Sequence, residues 1–540
     1  MRWWGWGEDE RAISLPPTAG DALRIELGMD GSERGVRVSL EEVELPDSGL
    51  TAAGRSALEQ AVGAEHVLDD RAARVTHAVG KSFADLVQIR SGDGSSAPDA
   101  VVAPGSSAQV ASVIAACAAH GVAVIPFGGG TSVVGGVAAL RGPHRAAISL
   151  DLARMDRVID LDGNSLTAAL EPGVFGPALE GRLYTAGLTL GHFPQSFEFS
   201  TVGGWVATRS AGQASTGYGR IDELVESVRC VTPAGELHTR EVPASAAGPA
   251  LRELLVGSEG TLGVITGATL RVRQRPEARH YEAWSFRSFE EGTEAYRLLE
   301  QAGAAPDVAR LSDTHETRLS KALAARGGVG ERSADAYLRL RGHEDGCLAF
   351  AGFEGAPDDV ARRRGRTAGL LRAAGGVALG RGPGRSWLKT RFSAPYLRDE
   401  MLDRGVMVET LETATTWSNL HHLYAAVAGA LRESLAARGT PPLVMCHVSH
   451  LYGSGASLYF TFIARLQGEA PLDQWWAAKS AGCDAILSSG GTISHHHAVG
   501  RDHTPWMGRE VGELGLDVLR AAKERLDPDG IMNPGKLIPE

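Results

Sequence analysis

The stretch Pro126-Phe127-Gly128-Gly129-Gly130-Thr131-Ser132 combines the residue types that hold an anion against bare backbone. Adjacent glycines let a chain turn tightly and bring its N–H groups close to a phosphate or pyrophosphate. Thr131 and Ser132 add hydroxyl donors. Two familiar phosphate loops are excluded. A Walker loop ends in Gly-Lys-Ser/Thr, and this stretch has no lysine. A dinucleotide fingerprint starting at Gly128 fails because Val133 stands where its third glycine belongs. A second constellation is His495-His496-His497, preceded by Ser494. Imidazoles ionise near neutral pH and can move protons. In an extended segment His496 points opposite to its neighbours. On the residues alone, a metal site, a polar loop and a catalytic site carry comparable weight. A tetrahedral metal site wants spaced ligands and a carboxylate or thiolate partner, which this run does not itself supply.

These residues need elements to place them. The apolar run Val122 to Ile125 predicts a buried strand leading into the glycine stretch. Asp99 to Ala103 predicts a strand before it. Between them, Ser106 or Ser107 caps a predicted helix with Val110, Val113, Ile114 and Cys117 on one face. Strands follow at Ile148 to Leu152, Val158 to Leu161 and Leu166 to Glu171, with Asp162-Gly163-Asn164 as a hairpin turn. Phe175 to Ala186 predicts a helix, Val225 to Thr239 a hairpin, and Thr261 to Arg273 a closing strand. Near Pro276 the pattern changes to mixed strands (Tyr281 to Phe286, Tyr337 to Leu340, Leu348 to Phe353) and amphipathic helices. The expected organisation is an N-terminal, partly helical region over 1–94, an anion-binding domain over 95–275, an α+β cap over 276–470 and a helical segment over 471–540 that carries the histidine loop.

A chain of 540 residues exceeds one core, so several domains are expected. Its formal net charge is −11 without a basic block, which argues against nucleic acid as a partner. The uncharged stretch Val122 to Leu140 is broken by Pro126 and glycines and predicts strand and loop, not a membrane span. The five cysteines are scattered without a Cys-x-x-Cys, which suits reduced thiols in a cytoplasmic protein. The N-terminus has no apolar signal core.

The glycine stretch resembles the pyrophosphate loop of the vanillyl-alcohol-oxidase-type (PCMH-type) flavoproteins. Gly191 to Trp205 and Gly257 to Ile265 resemble the two other flavin-contacting segments of that superfamily, in the same order. The resemblance implies FAD and an α+β fold: a two-subdomain PCMH-type FAD-binding domain, then the α+β cap and the C-terminal helical segment. Its flavin contacts would be Pro126, Phe127, Gly128, Gly129, Gly130, Thr131 and Ser132; Gln195, Ser196, Phe197, Glu198, Phe199, Ser200 and Thr201; Thr208, Arg209, Ser210 and Ala211; and Glu259, Gly260, Thr261, Leu262, Gly263, Val264 and Ile265. The glycine loop holds no histidine, so FAD is expected to be non-covalent.

Gly191 to Trp205, the Ser-His-His-His run and the opening Trp3-Trp4-Gly5-Trp6-Gly7 together resemble the alkyldihydroxyacetone-phosphate synthase family. That family exchanges the acyl group of acyl-dihydroxyacetone phosphate for a long-chain alcohol through the flavin N5, without net redox. The resemblance implies Tyr459 as acid/base, His495, His496, His497 and His192 as residues needed for activity, Arg310 near the flavin, and Arg398 on the substrate phosphate. It implies no metal. It also implies a phosphorylated lipid substrate and a fatty alcohol as partners, peripheral contact with a membrane and a homodimer. Eukaryotic members carry a peroxisomal extension that this chain lacks, so a cytoplasmic location is expected. The competing reading is a FAD-linked 2-hydroxyacid dehydrogenase or oxidase. Those relatives show His-x-Gly-Asp-Gly-Asn-x-His and Glu-His-Gly-x-Gly, where this chain has His447-Val448-Ser449-His450 and His495-His496-His497-Ala498-Val499-Gly500. A flavin-binding protein without catalysis is a third class.

Overall fold

A computed structural model of the chain describes residues 1–324 and 329–539. The strand Val122–Phe127 is almost wholly buried and runs straight into the glycine stretch. It pairs in parallel with Ala146–Asp151, which pairs in parallel with Ala100–Val102. Val67–Leu68 completes this sheet antiparallel at its edge. Parallel strands need a crossover, and helix Ser107–His120 supplies the one from Ala100–Val102 to Val122–Phe127, which flank Ala146–Asp151. The Ser106 hydroxyl accepts from the Gln109 N–H at its start, and Gly121 turns left-handed (φ 63°) at its end. Val110, Val113 and Ile114 bury against the sheet, each contributing ~1.5–3 kcal/mol.

A second, antiparallel sheet follows in the order Val158–Asp162, Thr167–Leu170, Val264–Arg271, Val225–Thr232, Gly235–His238. Its first hairpin turns where expected: Asp162 accepts from the N–H groups of Asn164 and Ser165. These two sheets and their cores form the half of the molecule that carries the glycine stretch.

The other half is an eight-stranded antiparallel sheet. Its order is Val377–Gly380, Ala278–Phe286, Cys347–Gly355, Val308–Ser312, Leu443–Val448, Gly455–Arg465, Val406–Thr416, with Leu451–Tyr452 added beside Gly455–Arg465. Alternation along the strands sorts its two faces. Val444, Cys446, Leu458, Phe460 and Phe462 pack under the helices Leu420–Ala437 and Pro471–Ser488. Met445, His447, Tyr459, Thr461 and Ile463 look the other way, into a cavity.

One expected strand is absent. Tyr337 to Leu340 ends the helix Val329–Leu340. The alternation there was too short to decide: Leu338 is buried, while Tyr337 and Leu340 are exposed. The C-terminal segment is helical, as expected, over Pro471–Ser488, Met507–Val511 and Glu513–Leu526. It is not a separate body. Its first helix belongs to the core of the large sheet. Its end returns to the first sheet, where Val124 N–H donates to Ile531 O and Asn533 N–H donates to Val124 O. All five cysteines are free and buried. Among the described residues, no helix is long and apolar enough to cross a membrane.

Candidate active site

A cavity of about 530 Å³ lies between the two halves. One wall is the loop Pro126 to Ser132, joined by Gln195, Ser196, Ser200, Thr201, Thr208, Ser210, Ala211, Glu259, Gly260, Gly263 and Ile265. The glycines are required because loops touch there. A Cβ on Gly129 would sit 1.6 Å from the Phe199 carbonyl oxygen, and one on Gly128 would sit 2.4 Å from Thr201 Oγ1. Gly260, at φ 75°, closes on Pro126 in the same way. Removing those side chains brings three segments together and leaves bare backbone facing the cavity. The Ser132 hydroxyl accepts from the Gly136 N–H at 2.9 Å, which shapes the loop and leaves the hydroxyl proton to donate. Gln195 Nε2 and Ser258 Oγ are buried without a partner. Buried polar atoms are normally satisfied. Orphans beside a bare-backbone loop therefore fit a polar, anionic cofactor.

Other residues of the same segments lie off the wall. Phe197 packs on Phe193 and Phe392, Glu198 pairs with Arg11, and the Phe199 ring meets Trp6 edge-on. Arg209 reaches away to Asp222 and Glu253. Thr261, Leu262 and Val264 are buried in the fold behind the wall. Glu259 touches the cavity, but its carboxylate accepts from the N–H groups of Val499 (2.8 Å) and Gly500 (2.7 Å). Burial pushes its pKa up to about 7 against those two donors.

The opposite wall holds a tyrosine and several histidines. Tyr459 stacks on His447 with ring centroids 4.7 Å apart and meets the edge of His497 at 5.3 Å. Burial, partly offset by a hydrogen bond with Thr410, pushes the phenol up to about 12, so it stays protonated. Arg310 donates to His447 Nε2 at 3.1 Å and to Glu316 Oε1 at 2.8 Å, and His447 Nδ1 donates to the same carboxylate oxygen at 3.0 Å. Burial works against ionisation of Glu316, yet His447 and Arg310 hold its carboxyl well below the usual range. Arg310 thus braces the ring beneath Tyr459 rather than bridging the two halves.

The histidine run is not extended. Its chain bends so that the N–H groups of His495, His496 and His497 all point at one carboxylate, Glu412, with closest distances of 2.8 Å each. Ser494 Oγ donates to the same group at 2.9 Å. The three imidazoles therefore fan around Glu412 rather than alternating. His496 and His497 reach the cavity wall; His495 lies behind them. Burial opposes ionisation of Glu412, but the charge of and hydrogen bond from His496, with His497 and His495, hold it well below the carboxylate range. This is the acidic partner that the run itself did not supply. Glu409 and Glu412 are the two charges in a largely buried strand segment, VMVETLETA, and an acid in a buried strand implies a partner. His450, His495 and His496 place ligand atoms within 4.8 Å of one another. Four of their six ring nitrogens are in hydrogen bonds: His450 Nδ1 meets Ser215 Oγ, His495 and His496 meet through Nδ1, and His495 Nε2 meets Tyr452.

Arg398, on helix Ala394–Asp403, gives one N–H to the Lys81 carbonyl at 2.5 Å. Its Nε and Nη2 are buried and free of hydrogen bonds. Asp399 Oδ1 stands 3.6 Å from Arg398 Nη2, an ion pair without a hydrogen bond, while its Oδ2 accepts from the Trp6 N–H at 2.5 Å and is approached by Arg2. Glu400 is engaged by Arg404. His192 is buried off the wall, with Nε2 3.3 Å from Ser210 Oγ and its ring over Trp205. Burial lowers its pKa to about 3. The cavity lining also includes an apolar limb, one packed cluster of Leu319, Leu323, Leu397, Met401, Met445 and Ile463. These residues come from two helices and two strands, so no single sequence segment announces the limb.

Burial also holds His495 and His497 at about 3. A depressed imidazole pKa means that the unfolded chain takes up protons near pH 6.5 while the fold refuses them. Stability is then full above about 6.5 and falls as pH drops towards 3. Glu412 adds to the loss below the ordinary glutamate pKa of ~4.3. Glu259, Asp313 and Asp502 act in the opposite sense, since burial raises their pKa values and favours the fold on acidification, but the buried imidazoles of His447, His450 and His503 are lowered as well, so the imidazoles outnumber the acids. The melting temperature is expected to fall steadily from pH 6.5 to 4, and His497→Gln to flatten that slope. A pH-independent melting temperature over this range would contradict the neutral-histidine assignment.

Comparison with known proteins places these features in a family. Residues 98–240 match the profile described as "FAD binding domain" and residues 275–537 the profile described as "FAD linked oxidases, C-terminal domain". The chain is 36% identical over 482 residues to alkyldihydroxyacetonephosphate synthase of Dictyostelium discoideum, covering 88% of this chain and 79% of that one. It is 35% identical to the synthase of that name from Trypanosoma brucei brucei, covering 89% and 80%. A solved structure of alkyldihydroxyacetonephosphate synthase superposes with a TM-score of 0.86 at 30% identity, covering 99% of each chain. The fold is thus of the PCMH-type FAD-binding class, the cofactor is FAD, and the chain belongs to the alkyldihydroxyacetonephosphate synthase family.

Proposed function

We propose that the protein exchanges the acyl group of an acyl-dihydroxyacetone phosphate for a long-chain alcohol, releasing a fatty acid and forming an ether. The observation that carries this reading is one cavity in which the FAD cradle, the Arg398 guanidinium with two buried nitrogens free of hydrogen bonds, the Tyr459–His496–His497 group and an apolar limb meet. FAD, when bound by the loops at 126–132, 195–201 and 259–265, supplies a ring system that can accept and return an electron pair at the substrate carbon. In this reading Arg398 binds the phosphate, since a planar fork matches a dianion. The apolar limb binds the acyl or alkyl chain and excludes water from the reacting carbon. Tyr459 donates a proton from its hydroxyl and takes one back, and His496 and His497 hold the exchanged proton close by.

The test uses the flavinated enzyme without oxygen. Acyl-dihydroxyacetone phosphate should release fatty acid without stoichiometric reduction of FAD, and labelled hexadecanol should appear in an ether. Rapid bleaching by lactate or glycolate with no ether formed would favour the 2-hydroxyacid dehydrogenase reading. Acid precipitation should leave FAD in the supernatant; flavin retained in the pellet would contradict non-covalent binding.

Arg398→Lys keeps the charge and loses the fork. Hydrogen bonds to charged groups are worth ~1.5–3 kcal/mol. The KM for acyl-dihydroxyacetone phosphate is therefore expected to rise roughly tenfold or more, with FAD content intact. An unchanged KM removes Arg398 from the phosphate site.

A further inference from the structure

The exchange reaction has a proton to dispose of. Replacing an acyloxy by an alkoxy group breaks the bond between the substrate carbon and the carboxylate oxygen and forms one to the alcohol oxygen. The acid leaves as carboxylate with the electron pair of the broken bond. The alcohol gives up its hydroxyl proton. Each turnover therefore frees one proton inside a largely buried cavity.

We infer that His495 and Tyr452 form a proton exit that connects His496 on the cavity wall to solvent, an assignment that rests on the exchange reading above. The geometry is a series of contacts. His496 Nδ1 lies 2.9 Å from His495 Nδ1, and His495 Nε2 lies 2.6 Å from the Tyr452 hydroxyl. The His495 ring thus has one nitrogen towards the cavity and the other towards the surface, and both are in hydrogen bonds. Tyr452 is half-buried and is followed by the exposed Gly453 and Ser454. The Arg220 guanidinium donates to the Tyr452 hydroxyl and is itself held by Asp222 at 3.0 Å.

A proton arriving on His496 Nδ1 passes to His495 Nδ1, the proton on His495 Nε2 passes to the Tyr452 oxygen, and the tyrosine releases its own proton to water. No electron pair changes owner beyond those N–H and O–H bonds. The groups around His495 limit how long a proton rests on it. Glu412, 3.7 Å from its Nδ1, attracts the proton inwards from the loop side, His450 packs on its face at 4.9 Å, and Arg220 repels a resting charge at the outer end. Burial and the neighbouring His496 keep His495 neutral at rest, with a pKa near 3. Tyr452, pushed up to about 12 by burial, remains a neutral hydroxyl. Neutral links with both a donor and an acceptor are what a relay requires.

Tyr452→Phe tests this, because it removes one hydroxyl and keeps the ring. In the flavinated enzyme, FAD content and the KM for acyl-dihydroxyacetone phosphate should be unchanged. Turnover should fall roughly tenfold, below the full range of acid–base assistance because the cavity groups remain. The solvent deuterium isotope effect on kcat should rise, and added imidazole buffer should restore the rate of the variant but not of the wild type. Without substrate, nitrogen-15 histidine spectra should lose the downfield ring-proton signal of the His495–Tyr452 hydrogen bond. Wild-type kcat and isotope effect in Tyr452→Phe would overturn the relay while leaving the exchange reading intact. A slow variant that buffer does not rescue would mark Tyr452 as structural and overturn the relay equally. Failure of the wild type to form ether would overturn the exchange reading, and the relay with it.

Discussion

Tyr459→Phe is expected to leave the fold and the bound FAD intact while ether formation falls by ~10²–10⁴-fold, the usual range of acid–base assistance. The substitution deletes one oxygen from a ring whose packing is set elsewhere, by the His447 stack and the edge of His497. Strand pairing of Tyr459 with Glu412 and His447 uses backbone groups only. Stability should therefore change little. The hydroxyl is raised to about 12 by burial, so at neutral pH it enters the reaction as a proton donor. His496→Ala should produce a loss of similar size. The double variant should be no worse than the worse single one, because groups that pass one proton act as a unit. The check is single-turnover release of fatty acid by the flavinated variants. Wild-type rates in Tyr459→Phe would remove the phenol from the chemistry.

The fold was legible where the pattern was local. The strand into the glycine loop, the Ser106 cap with its helix and the Asp162 turn each depend on residues within a few positions, and each is found as expected. The glycine cluster was read for the right place and half of the reason. Its backbone faces the cavity, but Gly128 and Gly129 are glycines because Thr201 and Phe199 press on them from behind. The chemistry beyond that loop was only partly legible. His447, Glu316 and Arg310 come from three separate elements and meet only when the large sheet forms. The bend of the histidine run is imposed by Glu412, more than eighty residues upstream on another strand, so no local periodicity could reveal it.

Glu412→Gln should therefore have the second large effect. The carboxylate accepts from Ser494 Oγ and from three consecutive backbone N–H groups, and it stands 3.2 Å from His496 Nδ1. An amide has the same shape but only one accepting oxygen, and its NH₂ would face a donor. Hydrogen bonds to a charged acceptor are worth ~1.5–3 kcal/mol each, and breaking a buried ionic arrangement by removing one partner costs ~3–5 kcal/mol. The second figure is a large share of a domain's whole stability of ~5–15 kcal/mol. The loop has a second anchor, because Glu259 still receives the N–H groups of Val499 and Gly500. The expected result is a protein that stays folded and yellow, since the cradle at 126–132 does not touch Glu412. It should melt well below wild type and form ether at least ~100-fold more slowly, because His496 and His497 lose their positions. Glu409→Gln is the control: that carboxylate accepts only from Trp475 Nε1 and the Thr410 N–H, so its loss should cost less stability. Equal melting temperatures for the two variants, or wild-type turnover in Glu412→Gln, would mean that the histidine loop keeps its shape without the acid beneath it.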